Sequence, residues 1–136
     1  DFKVMAADAL YAKLESKGFT PEWKCKDDVE FASTVRKRLG QAMVVPAAAT
    51  DATILGWAYA NVYDGSPISP DTMILMAKAQ GKNVIVLFDK SSQDRRVKVP
   101  ESSGLHVFRR EVQGLVLYEV SPLDQPHVVD AVRPPA

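Results

Sequence analysis

The run Val84-Ile85-Val86-Leu87-Phe88, apolar without interruption, constrains the fold more than any other stretch. A strand apolar on both faces must be covered on both, the usual condition of a central strand in a parallel sheet flanked by helices. The residues before it read as the helix that would feed such a strand. Ser69 can cap it, Pro70 suits the first helical position because its missing N–H would be unpaired there anyway, and Asp71 favours the positive end of the helix dipole. Met73, Ile74, Leu75, Met76 and Ala77 leave it almost no polar face, and Gly81 can adopt the left-handed conformation that ends a helix.

Upstream, Phe2 to Ala6 reads as a first strand, followed by a helix from Ala9 to Lys17 with Asp8 before it and Gly18 after it. Phe19, Trp23 and Cys25 alternate with polar neighbours as in a half-exposed strand, and Pro21 favours an edge position. Asp27 and Glu30 form a capping-box pair before a helix whose Phe31, Val35 and Leu39 keep a spacing of four. Arg36, Lys37 and Arg38 complement its carboxyl end, and Gly40 closes it. Ala42 to Val45 reads as a strand halted by Pro46, and Thr50 or Asp51 as the cap of a further helix through Tyr59.

After Asp89, the segment Lys90 to Lys98 reads as a surface loop. Gly104 to Phe108 and Leu115 to Val120 read as strands, joined either as a hairpin or separately. The alternation predicts an α/β fold: one three-layer domain over residues 1–120, with a mainly parallel sheet of about five strands in a flavodoxin-like order. Residues 121–136, with Pro122, Pro126, Pro134 and Pro135, read as a tail along the surface.

Charge and motif content narrow the function classes. Lys plus Arg and Asp plus Glu balance at 17 each, so no positive field argues for nucleic acid or an anionic membrane. Apolar runs fall short of the roughly 20 residues that span a bilayer, and a soluble, cytoplasmic protein is expected. Asp1 is not an initiator methionine, so what preceded it is open. Gly-rich phosphate cradles, a nucleophile elbow and zinc spacings are all missing, so no cofactor and no metal are expected. The single Cys25 is expected to pack rather than react.

Ligands of parallel sheets bind outside the carboxyl ends of the strands, and this rule selects the candidate site. Ser69, Asp71 and Thr72 offer hydroxyls and a carboxylate at a helix start, Asp64 lies in an Asp-Gly turn, and Asp89 ends the apolar strand. Asp64, Ser69, Thr72 and Asp89 are the candidate ligand-binding residues and Asp71 the candidate catalytic one.

Asp64-Gly65, then Asp71-Thr72, then Ala77-Lys78-Ala79-Gln80-Gly81-Lys82-Asn83-Val84-Ile85 resembles the characteristic segment of the nucleoside 2-deoxyribosyltransferase family and its N-glycosidase relatives, and Leu14-Glu15 with Gly18-Phe19 is similar to the end of that family's first helix. The resemblance implies a relative by fold, because the family's catalytic glutamate falls on Met73, which cannot attack an anomeric carbon. If activity is retained, it implies Asp71 as nucleophile and Asp64 or Asp89 as partners of the sugar hydroxyls. Two function classes follow: a domain that binds or processes a nucleoside-like small molecule, and a non-catalytic interaction or regulatory module. The second would use the apolar surface around Ala47 to Ala60, through which the chain could also form a homo-oligomer.

Overall fold

The structure is a computed structural model and describes residues 6–59 and 71–136. Its elements are α1 (Ala7–Ser16), α2 (Asp28–Leu39), β1 (Thr53–Tyr59), β2 (Met73–Ala79), β3 (Lys82–Lys90), β4 (His106–Val112) and β5 (Leu115–Ser121). The strands form a single sheet in the order β1-β2-β3-β5-β4, and every pairing is antiparallel. The fold is therefore a small α+β fold, and the expected parallel, flavodoxin-like three-layer domain is overturned.

Two tight turns enforce the antiparallel order. Gln80-Gly81 joins β2 to β3 and Gln113-Gly114 joins β4 to β5, with φ of 51° and 75° in the first and 49° and 81° in the second. Positive φ at both central residues is the type I′ turn, whose twist matches that of a hairpin. Two residues cannot make the long crossover that parallel strands require.

The same turn explains why the expected helix at Met73–Ala77 is a strand. A segment apolar all round fits a buried helix or a buried strand equally well, and Gly81, expected as a helix stop, instead completes the hairpin that pairs Met73 with Phe88. The expected helix through Tyr59 is likewise β1. Its Gly56, at φ 149°, sits in a bulge, where an added Cβ would lie 2.3 Å from the Trp23 carbonyl oxygen and 2.8 Å from Pro21 Cβ. No side chain larger than hydrogen fits there. The Phe2–Ala6 strand and the residues Asp64 and Ser69 lie outside the described residues, apart from Ala6, which bridges to Lys98.

Both helices follow from local chemistry. At the start of α2 the Asp27 carboxylate caps the Glu30 N–H at 2.8 Å while Glu30 accepts from the Lys26 N–H at 3.2 Å, one residue before the N–H that a capping box uses; Gly40 ends the helix at φ 82°. At the end of α1, Phe19 N–H reaches the Leu14 carbonyl and Gly18 N–H that of Glu15, a Schellman motif that buries Phe19 against Leu14. Trp23, read as an inward strand residue, is 49% exposed, and its backbone bridges to Trp57.

Each face of the sheet has its own core. On one face Phe31, Val35 and Leu39 of α2 pack on Trp57, Leu75, Val86, Phe88 and Leu117, with the Trp57 ring 5.0 Å from Phe31 and 5.2 Å from Phe88. On the other, Tyr11 of α1, Phe19 and Val97 cover Ile74, Met76, Ile85, Leu87 and Tyr118. Each such side chain contributes about 2 kcal/mol by leaving water. Val44 is extended but bridges only to Arg133, so the expected strand at Ala42–Val45 is not part of the sheet.

The C-terminal segment was expected on the surface, yet Val128, Val129, Ala131 and Val132 are buried in the α2-side core. Glu119 draws them there. Its fully buried carboxylate accepts from the N–H groups of His127, Val128 and Val129, each at 2.7 Å, and Arg110 donates to the carbonyls of Val129 and Val132 at 2.7 and 2.5 Å. Charge-assisted bonds of this kind satisfy an ion that would be costly to bury alone. Among the described residues no helix is long and apolar enough to cross a membrane.

Gly56→Ala is expected to lower stability by about 3 kcal/mol in urea unfolding, against about 1 kcal/mol for Gly40→Ala, whose Cβ would meet nothing within 4 Å. Equal losses would show that the Trp23 carbonyl does not press on Gly56.

Candidate functional site

Of the candidate residues from the sequence, the structure brings Thr72 and Asp89 together. They sit at one end of adjacent strands, on the face that α1 covers at the other end, and the Thr72 hydroxyl donates to Asp89 at 2.6 Å. Asp89 is 3% exposed and Thr72 fully buried. Asp71, exposed in the turn before β2, adds a like charge that Asp89 feels.

Burial pushes the Asp89 carboxyl up to about 6; the Thr72 hydrogen bond and the Arg95 charge pull the other way, while Asp94 and Asp71 add to the rise. A carboxyl that titrates near neutrality is what proton transfer requires. At 3% exposure, however, it has no open face toward a substrate among the described residues.

Next to it lies a network that left no mark in the sequence. Asp94 accepts from the Tyr118 hydroxyl and from Arg109 Nη2 at 2.9 Å, and Arg109 also pairs with Glu111 at 3.0 Å. Burial works against the Asp94 charge, but the bonds from Tyr118, the Arg96 N–H and Arg109 outweigh it and hold the carboxyl below its ordinary range. Tyr118 is raised by burial and by the carboxylate it serves. These groups lie on three segments: the sheet register sets Arg109 of β4 opposite Tyr118 of β5, and the connection after β3 brings Asp94 to them.

A second pair joins the segment before β1 to the C-terminal segment. His127 Nδ1 lies 2.9 Å from Asp51, whose carboxyl is lowered chiefly by that bond, and the Thr50 hydroxyl donates to the His127 carbonyl. A separation of 76 positions hides it from any motif search. Cys25 is half-buried with Thr34 Oγ1 at 3.9 Å. Among the described residues no three His, Cys, Asp or Glu side chains gather closely enough to hold a metal ion.

Two of the surface clefts contrast in chemistry. One of about 700 Å³ between α1 and the β2–β3 turn is polar, lined by Tyr11, Glu15, Lys78, Lys82 and Asn83. Its side chains already serve one another: Tyr11 donates to the Asn83 carbonyl at 2.7 Å and Asn83 to Glu15 at 2.9 Å. The other, about 360 Å³ along the outer side of α2, is apolar, with Val29 79% exposed beside Ala32, Ala42, Val44 and Pro135. No family model, no curated protein and no solved structure matches the chain. The layered parallel fold implied by the deoxyribosyltransferase resemblance is not the fold of this chain, and Met73, set against that family's catalytic glutamate, is a fully buried residue of β2.

The raised Asp89 carboxyl has a direct consequence for stability. Its folded pKa lies above the ordinary 3.8, so its stabilising contribution is full below about pH 4 and is lost as pH rises through about 6. A shift of this size corresponds to about 3 kcal/mol at most. Asp89→Asn is expected to match the parent chain at pH 4 and to exceed it by about 2 kcal/mol at pH 7.5 in urea titrations. Parallel pH profiles for the two would show that Asp89 is not held neutral by burial.

Proposed function

We propose that this domain is a non-catalytic interaction module that binds an extended segment along the free edge of β4. The observation that supports this reading is the unequal treatment of the two sheet edges. The outer edge of β1 is partly covered: Trp23 N–H bonds the Trp57 carbonyl at 3.0 Å, Trp57 N–H bonds the Trp23 carbonyl at 2.7 Å, and Tyr59 N–H bonds the Glu22 carboxylate at 2.7 Å. The outer edge of β4 has no such cover among the described residues.

The register states which groups stand free. The two-residue turn makes Val112 and Leu115 a hydrogen-bonded pair, so Arg110 and Phe108 also face β5, while Val107, Arg109 and Glu111 turn their N–H and C=O groups outward. An open row of donors and acceptors is a template for another strand. The internal polar groups are meanwhile spent on the fold itself: Glu119 on the C-terminal segment, Asp94 on Tyr118 and Arg109, Asp89 on Thr72. Trp57 Nε1 and Arg95 Nε are buried without a hydrogen-bond partner among the described residues.

This moves the expected contact surface. Of the stretch around Ala47 to Ala60, Ala47–Ala49 form an exposed short helix, but Trp57 and Ala58 are buried within the sheet. Nucleoside processing loses its motive with the parallel fold on which it rested.

In dilute solution the amides of Val107, Arg109 and Glu111 are expected to exchange with deuterium about 100-fold or more faster than those of Phe108 and Arg110, an alternation read residue by residue by NMR. Uniform protection along β4 would mean that its edge is covered.

A further inference from the structure

The side chains along the β4 edge are complementary to themselves. His106-Val107-Phe108-Arg109-Arg110-Glu111-Val112 places Val107, Arg109 and Glu111 on the α1 side and Phe108, Arg110 and Val112 on the α2 side. Arg109 and Glu111 both keep their charges at the surface, with side chains 45% and 55% exposed.

Resting on the reading of β4 as a docking edge, we infer that its occupant is a second copy of this chain, paired antiparallel through β4 about a two-fold axis at Arg110. In that register Arg109 lies opposite Glu111 of the second copy and Glu111 opposite its Arg109, in hydrogen-bonded positions that use the outward N–H and C=O groups. Phe108 lies opposite Val112, an apolar pair at the closer, non-hydrogen-bonded spacing, and Val107 lies opposite Gln113. The repeated contact is isologous, as closed dimers require.

Neighbouring registers lack this match. An axis at Arg109 sets that arginine against its own copy, and an axis at Glu111 does the same with the carboxylates; like charges directly opposite are destabilising. The chosen axis brings Arg110 beside Arg110, where each guanidinium turns to the Val129 and Val132 carbonyls of its own chain at 2.7 and 2.5 Å, while Arg109, already paired with Asp94 and Glu111 of its own chain, shares a carboxylate across the axis. The Gln113-Gly114 turn of the second copy would reach a cleft of about 420 Å³ lined by Val97, Lys98, Glu101, Leu105, His106 and Val107, adding contact beyond the strand. Edge pairing of this extent belongs among small, exchanging interfaces rather than permanent ones.

Sedimentation equilibrium from about 1 μM to about 1 mM spans the affinities such an interface reaches. The chain is expected to pass from monomer to dimer, and Glu111→Lys, which turns both cross-strand ion pairs into repulsions, is expected to weaken dimerisation about tenfold or more. Val107→Pro removes an outward N–H that the β4–β5 ladder does not use, and is expected to abolish it. Thermal melts check that each variant folds, and Glu111→Lys decides if the proline does not. A dimer equally strong in Glu111→Lys would place the contact elsewhere and overturn the inference, as would a monomer at every concentration. A monomer whose Val107, Arg109 and Glu111 amides still exchange rapidly removes only the second copy, whereas uniform protection of β4 in that monomer removes the docking edge itself.

Discussion

The central strands β2, β3 and β5 are buried on both faces, and this demand for two covers organises the rest of the chain. One cover comes from α1, Phe19 and the segment after β3 that carries Val97; the other from α2 and the C-terminal residues 128–132. Neither helix alone is long enough to shield such a sheet. The chain therefore recruits irregular segments into its core, and each brings backbone polar groups that need partners.

Glu119 answers that need on the α2 side, because one carboxylate accepts three N–H groups of the segment it holds. On the α1 side Tyr118, Asp94 and Arg109 tie the connection after β3 to the sheet. Asp89 is the poorer bargain: a single hydroxyl bond from Thr72 does not offset its loss of water, and its carboxyl is left near neutrality in its titration. Among the described residues the two sheet edges differ: Trp23 bridges the outer edge of β1, and the outer edge of β4 has no backbone partner.

Part of this was legible in the sequence. The Asp27 cap on Glu30, the spacing of Phe31, Val35 and Leu39, and Gly40 act within a dozen residues, and α2 is where they place it. The buried strand at Val84–Phe88 and the β4–β5 pair also follow from local patterns, although the hairpin needed Gln113-Gly114 to be read as a turn. What failed was whatever depends on pairing over distance. An all-apolar segment such as Met73–Ala77 carries no period to separate helix from strand, and a glycine at its end serves a helix stop and a type I′ turn alike. That ambiguity, with the two-faced apolar run Val84–Phe88 read as a parallel strand, led to the parallel sheet, and the sheet to the choice of site. Thr72 and Asp89 do meet, for a different reason: the antiparallel register sets their strands side by side. Asp94, Arg109, Tyr118 and Glu119 had no local signature, since each acquires its partner only when strands and loops converge.

The antiparallel register of β2, β3 and β5 is tested most directly by proton contacts across the strands. In non-hydrogen-bonded pairs the Hα atoms approach closely, so strong Hα–Hα contacts are expected between Ile74 and Leu87, Met76 and Ile85, Val86 and Glu119, and Phe88 and Leu117. Sequential amide–amide contacts running through Met73 to Ala79, with those cross-strand contacts missing, would mean a helix there and would contradict the two-faced antiparallel sheet.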